Sequence, residues 1–189
     1  ENNDLMCQVG AETPMGKALR RYWMPVMQSS DLPAPDCDPF PLEIMGDHFV
    51  AFRNSAGVVG ILDELCAHRR ASLVMGRCEG NGIRCLYHGW KFGVDGTVME
   101  TPNVADPEFN TRCKATAYPC REAGGLIWAY FGPAELEPEF PHHSWFDLPD
   151  SHRINAYAVN NCNYIQVFEA LVDSSHLNIL HFDGLDKSA

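Results

Sequence analysis

The sequence predicts an α+β protein in which a small antiparallel β-sandwich precedes the start of a second, mixed α+β domain. Three observations support this prediction. Short apolar runs separated by turn residues fill residues 40–132, a segment rich in proline and acidic residues covers 133–153, and a helix-length stretch with few breakers occupies 163–181. Many short strands with tight turns are typical of sandwiches, and a run of helix length indicates a different architecture. We therefore divide the chain into residues 1–39, 40–132, 133–153 and 154–189.

Residues 1–39 are predicted to be a short helix and a loop that lead into the sandwich. Thr13 is a favourable N-cap residue and Pro14 suits the first helical position, so a helix is predicted over 15–21. An extended stretch follows at 23–26. A loop is predicted over 31–41, where prolines and aspartates are concentrated.

Within residues 40–132, the predicted strands are separated by residues that favour tight turns. Strands at 42–45, 48–53 and 58–62 are joined at Gly46-Asp47 and at residues 54–57. Asp95-Gly96 joins strands at 91–94 and 97–99, and Gly124-Gly125 precedes an apolar strand at 126–131. Such dipeptides are the strongest local signals for hairpins.

The segment after the proline-rich and acidic linker has a different pattern. Residues 154–159 are predicted to be a strand that opens a second sheet, and residues 163–181 are predicted to be a helix. The domain boundary is placed within 133–153, and the second domain is expected to be incomplete at residue 189.

Composition excludes some partners. The formal net charge is −11, which argues against nucleic acid and anionic membranes as partners, and no apolar run reaches the roughly 18 residues of a membrane-spanning helix. The polar, acidic N-terminus does not resemble a signal peptide. We therefore expect a cytoplasmic protein in which six of the eight cysteines are reduced thiols: Cys7, Cys37, Cys78, Cys113, Cys120 and Cys162.

Two cysteines differ from these because each has a histidine at a short offset. The segments read Cys66-Ala67-His68 and Cys85-Leu86-Tyr87-His88, each within a predicted loop. Two Cys–His pairs suit a Rieske-type [2Fe–2S] cluster, in which thiolates bind one iron and neutral imidazoles bind the other. The alternative is a structural Cys2His2 zinc site, but such sites favour Cys-Cys and His-His pairs over alternating ones. The pattern therefore favours the cluster.

A second group of polar residues lies in the predicted helix at 163–181. At about 100° per residue, Glu169, Asp173 and His176 share one helix face, whereas His176 and His181 are about 140° apart. A metal shared by the two histidines would need a helix end or a local distortion between them. From the residues alone, a metal site and two ordinary surface or core histidines both remain possible interpretations.

The two segments CAHRRASL and CLYHGWKFGVDG resemble the cluster-binding motifs of Rieske non-haem iron oxygenases. Arg69-Arg70-Ala71 and Leu86 stand where quinol-oxidising Rieske proteins carry extra cysteines, so the resemblance favours the oxygenase or ferredoxin branch. The N-terminal segment, with Gly10, Thr13-Pro14-Met15-Gly16 and Arg20-Arg21-Tyr22-Trp23-Met24-Pro25-Val26, is similar to that of the phthalate 4,5-dioxygenase class.

This resemblance implies roles for the second group. The order and spacing of Asn163, Glu169, Asp173, His176 and His181 match the start of the family's helix-grip-like catalytic domain. By that match, His176 and His181 bind a mononuclear Fe(II), with a third carboxylate ligand expected beyond residue 189. Asp173 is implied to be the carboxylate that bridges this iron to the Rieske cluster of a neighbouring subunit in a ring of three.

The resemblance thus implies the oxygenase component of a multicomponent system. A reductase would supply electrons from NAD(P)H, directly or through a ferredoxin. The substrates would be O2 and an aromatic compound, with an aromatic acid as the expected class, which is hydroxylated or O-demethylated. The alternative function is a Rieske ferredoxin that only carries electrons.

Overall fold

The computed structural model of the protein describes residues 2–106 and 108–181. Its strands, in chain order, are β1 (Met24–Gln28), β2 (Phe40–Ile44), β3 (Asp47–Arg53), β4 (Val59–Asp63), β5 (Arg77–Glu79), β6 (Gly82–Arg84), β7 (Lys91–Phe92), β8 (Val98–Glu100), β9 (Ala117–Tyr118), β10 (Cys120–Ala123) and β11 (Leu126–Ala129). Its α-helices are α1 (Asn2–Cys7), α2 (Pro14–Leu19), α3 (Tyr164–Val172) and α4 (Leu177–Leu180).

The strands form three sheets in which every hydrogen-bonded pair is antiparallel. Their spatial orders are β1-β11-β10, β2-β3-β4-β9 and β5-β6-β7-β8. The predicted antiparallel β fold of the first domain, with few helices, is confirmed.

Strand β3 lies between two hydrophobic cores. Its residues 49–52 are all buried, and they alternate between the cores: Phe49 and Ala51 pack into one, Val50 and Phe52 into the other. Successive side chains of a strand point to opposite faces, so a strand covered on both faces is apolar throughout. One core lies towards β1 and β11, and the other lies under the β5–β8 sheet and contains Cys66 and Cys85.

The N-terminal segment contributes to the first sheet. Strand β1 pairs with β11, with Met24 opposite Ala129. The helix predicted over 15–21 is observed as α2, and the Thr13 hydroxyl accepts a hydrogen bond from the Gly16 N–H at 3.1 Å, as a capping residue should. Helix α1 was not predicted.

Helix α1 is held by the start of α3. The Asn163 side-chain amide donates to the Cys7 carbonyl at 2.9 Å, and the Tyr164 hydroxyl donates to the Met6 carbonyl at 2.8 Å. Short polar helices are unstable alone, so these contacts explain why local sequence gave no signal for α1.

The predicted hairpins form with small changes in position. The β2–β3 turn uses Met45 (φ 53°) and Gly46 (φ 81°), one residue before the predicted pair. The β10–β11 turn uses Gly124 (φ 64°) and Gly125 (φ 76°), the pair predicted to precede the strand at 126–131. Positive φ at both central residues matches the right-handed twist of the flanking strands.

Two predictions about the region after residue 153 are wrong. Residues 154–159 are extended but pair with no strand in the described ranges, and a β-strand requires a ladder partner. The predicted helix at 163–181 is interrupted, because Asp173 has extended dihedrals (φ −80°, ψ 107°) at the end of α3 and α4 starts only at Leu177. The last part of the predicted catalytic domain, 182–189, lies outside the described residues.

Across 2–106 and 108–181, the structure contains no helix that is both long and apolar enough to cross a membrane.

Candidate functional site

The two Cys–His segments form loops with the same hydrogen-bonded design. In the first, the Cys66 N–H donates to the Ala71 carbonyl (2.9 Å) and the Arg70 N–H donates to the Cys66 carbonyl (2.9 Å). In the second, the Cys85 N–H donates to the Trp90 carbonyl (2.8 Å) and the Gly89 N–H donates to the Cys85 carbonyl (3.1 Å). Each loop therefore closes on its own cysteine.

Paired residues also flank each loop at equivalent positions. Leu65 and Ser72 form an antiparallel bridge around the first loop, and Arg84 pairs with Lys91 around the second. In both cases the pair consists of the residue before the cysteine and the sixth residue after it. The two loops are thus equivalent in their backbone, although their sequences differ.

The two cysteines lie side by side under the loops. Cys66 is 2% exposed and Cys85 is 3% exposed, and their thiols are neighbours. Burial raises the pKa of the Cys66 thiol to about 11, although the backbone N–H groups of His68 and Arg69 point at its sulfur and favour the thiolate. A metal that binds this sulfur would displace its proton, as metal ions commonly do with thiol ligands.

The two histidine rings lie close together, with centroids 4.8 Å apart. The ring of His68 stacks on Trp90 at 4.5 Å with an interplanar angle of 2°, and the Trp90 indole N–H donates to Asn103 Oδ1 at 2.8 Å. Burial, together with the nearby His88 and Arg69, lowers the pKa of His68. The shift favours the neutral imidazole, which is the form that binds metals.

His88 supplies the observation that fits a bound metal most directly. Its Nδ1 atom is buried and has no hydrogen-bond partner among the described residues. A buried polar atom without a partner costs about 1–3 kcal/mol, so native structures rarely keep one without a reason. A metal bound at Nδ1 would satisfy this atom. The donor set of two thiols and two imidazoles also suits an iron–sulfur cluster with mixed ligands.

Sequence reasoning missed one residue at this site, Arg84. Its guanidinium contacts the Gly89 carbonyl of the second loop and two carboxylates of the same sheet, Glu79 on β5 and Glu100 on β8. A charged residue directly before Cys85, at the end of a short apolar strand, was the available signal.

The break between α3 and α4 determines the arrangement of the second group. Asp173 Oδ1 accepts hydrogen bonds from the backbone N–H (2.8 Å) and the hydroxyl (2.6 Å) of Ser175, which turns the chain out of the helix. The two Ser175 bonds, and then His176, lower the pKa of the Asp173 carboxyl. The carboxylate therefore stays ionised at neutral pH.

The two histidines flank the short helix α4, and their rings lie close together. Asp173 Oδ2 lies 3.3 Å from His176 Nδ1, and the rings of His176 and His181 are 5.6 Å apart between centroids. A carboxylate on Nδ1 leaves Nε2 free, which is the usual arrangement around a metal-binding histidine. The geometry therefore fits a shared ion with two histidine ligands. In 2–106 and 108–181, no group of three or more His, Cys, Asp or Glu side chains is placed to hold one ion.

The other two members of the second group, Asn163 and Glu169, form hydrogen bonds at the two ends of α3. Asn163 is the N-cap of α3, and its side-chain oxygen accepts from the Ile165 N–H at 3.1 Å. Glu169 is exposed, and its carbonyl accepts the Asp173 N–H at 3.1 Å.

Comparison with known proteins decides the family. The pattern of the Rieske [2Fe-2S] domain family matches residues 22–122, which include both loops and most of the three sheets. The chain belongs to this family. Its Rieske domain therefore accounts for the [2Fe–2S] cluster predicted from the two Cys–His segments.

Curated relatives extend the likeness beyond the Rieske domain. The chain is 44% identical over 186 residues to the phthalate 4,5-dioxygenase oxygenase subunit of Pseudomonas putida, which covers 96% of this chain and 42% of the relative. It is 37% identical over 185 residues to the 5,5'-dehydrodivanillate O-demethylase oxygenase subunit of a Sphingobium species, covering 96% and 43%. The resemblance to oxygenase subunits of the phthalate 4,5-dioxygenase class is confirmed. The chain spans about two fifths of the length of these relatives.

Solved structures give the same result for the fold. NdmA of Pseudomonas putida CBB5 matches with a TM-score of 0.73 and 25% identity, over 90% of this chain and 52% of that one. Dicamba monooxygenase with non-heme iron and dicamba matches with a TM-score of 0.57 and 27% identity, over 64% and 36%.

Proposed function

We propose that this chain is part of the oxygenase component of a Rieske-type multicomponent system. The protein would use O2 and electrons from NAD(P)H to hydroxylate or O-demethylate an aromatic substrate, with an aromatic acid as the first class to test. One observation carries this proposal: the chain continues past its Rieske domain into the α3–α4 segment, where Asp173, His176 and His181 lie close together. The relatives named as oxygenase subunits support it.

Four side chains would hold the cluster. Cys66 and Cys85 would bind one iron, and His68 and His88 would bind the other through ring nitrogens such as the unpartnered Nδ1 of His88. Trp90 would fix the orientation of the His68 ring by stacking on it, and Asn103 would in turn hold Trp90. The two closed loops would keep all four donors in place before the cluster binds.

His176 and His181 would hold the mononuclear Fe(II), with a third carboxylate ligand beyond residue 189. Asp173 would orient His176 through its Nδ1 and would link this iron to the Rieske domain of a neighbouring subunit. When bound, the cluster supplies single electrons and the mononuclear iron activates O2 beside the substrate. The Ser175 bonds would keep Asp173 ionised and in one orientation during this transfer.

The partners follow from this function. We propose a homotrimer in the cytoplasm that receives electrons from an NAD(P)H-dependent reductase, directly or through a ferredoxin, with no nucleic acid or membrane partner. The exposed apolar side chains of Leu86 (55%) and Tyr87 (62%), at the tip of the second loop, support contact with another protein surface.

The second candidate is a Rieske ferredoxin-type electron carrier. The two loops would serve either function, because both require the same cluster. The grouping of Asp173 with His176 and His181 favours the oxygenase, since a carrier has no use for a second metal.

The test is turnover by the full-length protein, coupled to a reductase, with a panel of aromatic acids and methoxyaromatics. A cis-diol product would indicate a dioxygenase, and formaldehyde with a phenol would indicate an O-demethylating monooxygenase. Cluster reduction without any product, in protein that binds no iron beyond the cluster, would favour the electron carrier.

A further inference from the structure

We propose that Arg84 is a positioning residue of the cluster site, which fixes the Cys85–His88 loop and raises the reduction potential through its partly buried charge. The proposal rests on the proposed function, because it assumes that Cys85 and His88 are cluster ligands. Nothing in the sequence motif itself assigns a role to this arginine.

The Arg84 guanidinium makes three charge-assisted contacts in different directions. Nε lies 2.5 Å from Glu79 Oε1, one terminal nitrogen lies 2.6 Å from Glu100 Oε2, and the other donates to the Gly89 carbonyl at 2.6 Å. The Arg84 side chain is only 17% exposed. A planar fork held by three acceptors has little freedom to move, which is why arginine suits this position better than lysine.

The Gly89 contact reaches the part of the loop next to the His88 ligand. Gly89 has φ of 74°, and its N–H already donates to the Cys85 carbonyl. Arg84 precedes one proposed ligand, Cys85, in sequence and holds the carbonyl of Gly89, the residue that follows the other proposed ligand, His88. A shift of this peptide would therefore change the direction of the His88 ring.

Comparison with the first loop shows that the arginine is not needed to close the ring. Leu65 occupies the position equivalent to Arg84, yet Cys66 and Arg70 make the same two backbone hydrogen bonds there. The contact from Arg84 is therefore an addition to a backbone design that closes without it. Its specific effects are a fixed Gly89 peptide and a cation beside the second loop.

The charges of Arg84, its two carboxylate partners and Lys91 balance, and the exposed Arg77 makes one further contact with Glu79. Arg84 and Lys91 are cations, Glu79 and Glu100 are anions, and Lys91 pairs with the same Glu100 carboxylate. Loss of the Arg84 charge leaves a net negative charge next to a cluster ligand, which favours the oxidised cluster. Loss of the Glu100 charge leaves a net positive charge, which favours the reduced cluster.

The experiment is a redox titration of the full-length holoprotein, followed by the electron paramagnetic resonance signal of the reduced cluster. We expect a lower midpoint potential in R84Q, a higher one in E100Q, and a near-wild-type value in R84K. R77Q is the matched control, because Arg77 is the cross-strand partner of Arg84 and also contacts Glu79, but it is exposed and does not touch the loop. Its potential should not change.

Unchanged potentials and spectra in both R84Q and E100Q, with full cluster content, would overturn the proposal. If R84Q does not fold, a higher midpoint potential in E100Q would still support the electrostatic role. A near-wild-type potential in R84K would show that a positive charge at position 84 is enough to set the potential. A wild-type holoprotein without a Rieske signal would refute the proposed function instead. Amide hydrogen exchange of the 85–90 loop in apo-protein would then still test Arg84, since R84Q should exchange faster there and R77Q should not.

Discussion

Arg70 and Gly89 occupy equivalent positions in the two loops that carry the Cys–His pairs. Each follows its cysteine by four residues, each donates its N–H to that cysteine's carbonyl, and each has a positive φ, of 56° and 74° respectively. Glycine adopts this conformation freely, whereas an L-residue with a side chain does so at a cost. Because only Gly89 adopts this conformation without strain, substitutions at the two positions should change the stability of the protein differently.

Gly89→Ala should destabilise the protein by about 1–2 kcal/mol. An alanine at position 89 would have to adopt the unfavourable positive φ of Gly89, and its Cβ would lie 3.2 Å from Pro102 Cγ. Urea unfolding gives the free energy, and iron content shows whether the loop still holds the cluster. Gly57→Ala is the control, because Gly57 has φ of 81° and nothing lies within 4 Å of its added Cβ. An equal loss in both variants would show that the Pro102 contact contributes nothing.

Arg70→Gly should change stability little, by about 0.5 kcal/mol or less. Relief of the left-handed strain at Arg70 is offset by the greater freedom of glycine in the unfolded chain. The same urea titration measures this. A loss comparable with that of Gly89→Ala would mean that the Arg70 side chain makes contacts that matter to the fold.

Cys66→Ser and Cys85→Ser should each lose about nine tenths or more of the cluster, because thiolates hold one of its irons. Iron, acid-labile sulfide and the visible absorption of the purified protein measure the loss. Cys162→Ser is the control, since Cys162 is exposed and lies in neither loop. Full cluster content in Cys66→Ser would contradict the ligand assignment.

Asp173→Asn should keep both metal centres and lower reductase-coupled turnover by about 10- to 100-fold. The amide preserves the shape of the side chain but removes the charge beside His176 that, under the proposed function, would link the two centres. Iron per chain and product formation are measured together. Asp147→Asn is matched to it, because Asp147 also faces a histidine, His142, at 3.1 Å in an exposed position. Wild-type turnover in Asp173→Asn would exclude the bridging role.

Stability should depend on pH through Glu122. Its carboxylate binds Arg53 with two hydrogen bonds of 2.9 Å, and this interaction is the main cause that lowers its pKa below the ordinary 4.5. A lowered pKa in the folded state means that the stabilisation is complete above about pH 4.5 and is lost as pH falls through the folded value.

Glu122→Gln should therefore cost about 0.5–1 kcal/mol at pH 7, a modest value because the carboxylate is 40% exposed and screened by water. The difference from wild type should shrink below pH 4.5 in urea titrations. Glu12→Gln should show no such pattern, because the Glu12–Lys17 pair is exposed at the surface. A constant difference from pH 7 to pH 3.5 would rule out this ion pair as the cause.

The antiparallel fold, the helix at Thr13-Pro14 and most hairpins were predictable because they depend on neighbouring residues. So were the Cys–His pairs, since their residue types and short spacings show in the sequence. A metal shared by His176 and His181 was expected to need a helix end or a local distortion between them. The residues between them form α4, and the observed helix end at Asp173 precedes both histidines. The single helix predicted over 163–181 was wrong because the Asp173–Ser175 turn competes with the helix.

By itself, the sequence determined the donors of the candidate site: two thiols, two imidazoles and a second group of histidines with an aspartate. The tertiary structure decided what no local pattern contains. It paired β1 with β11, made Arg70 and Gly89 equivalent, and placed Arg84 between Glu79, Glu100 and the Gly89 carbonyl. The physical reason is that residue types and turns act over a few residues, whereas strand pairing and buried charge contacts depend on the register of segments distant in the chain.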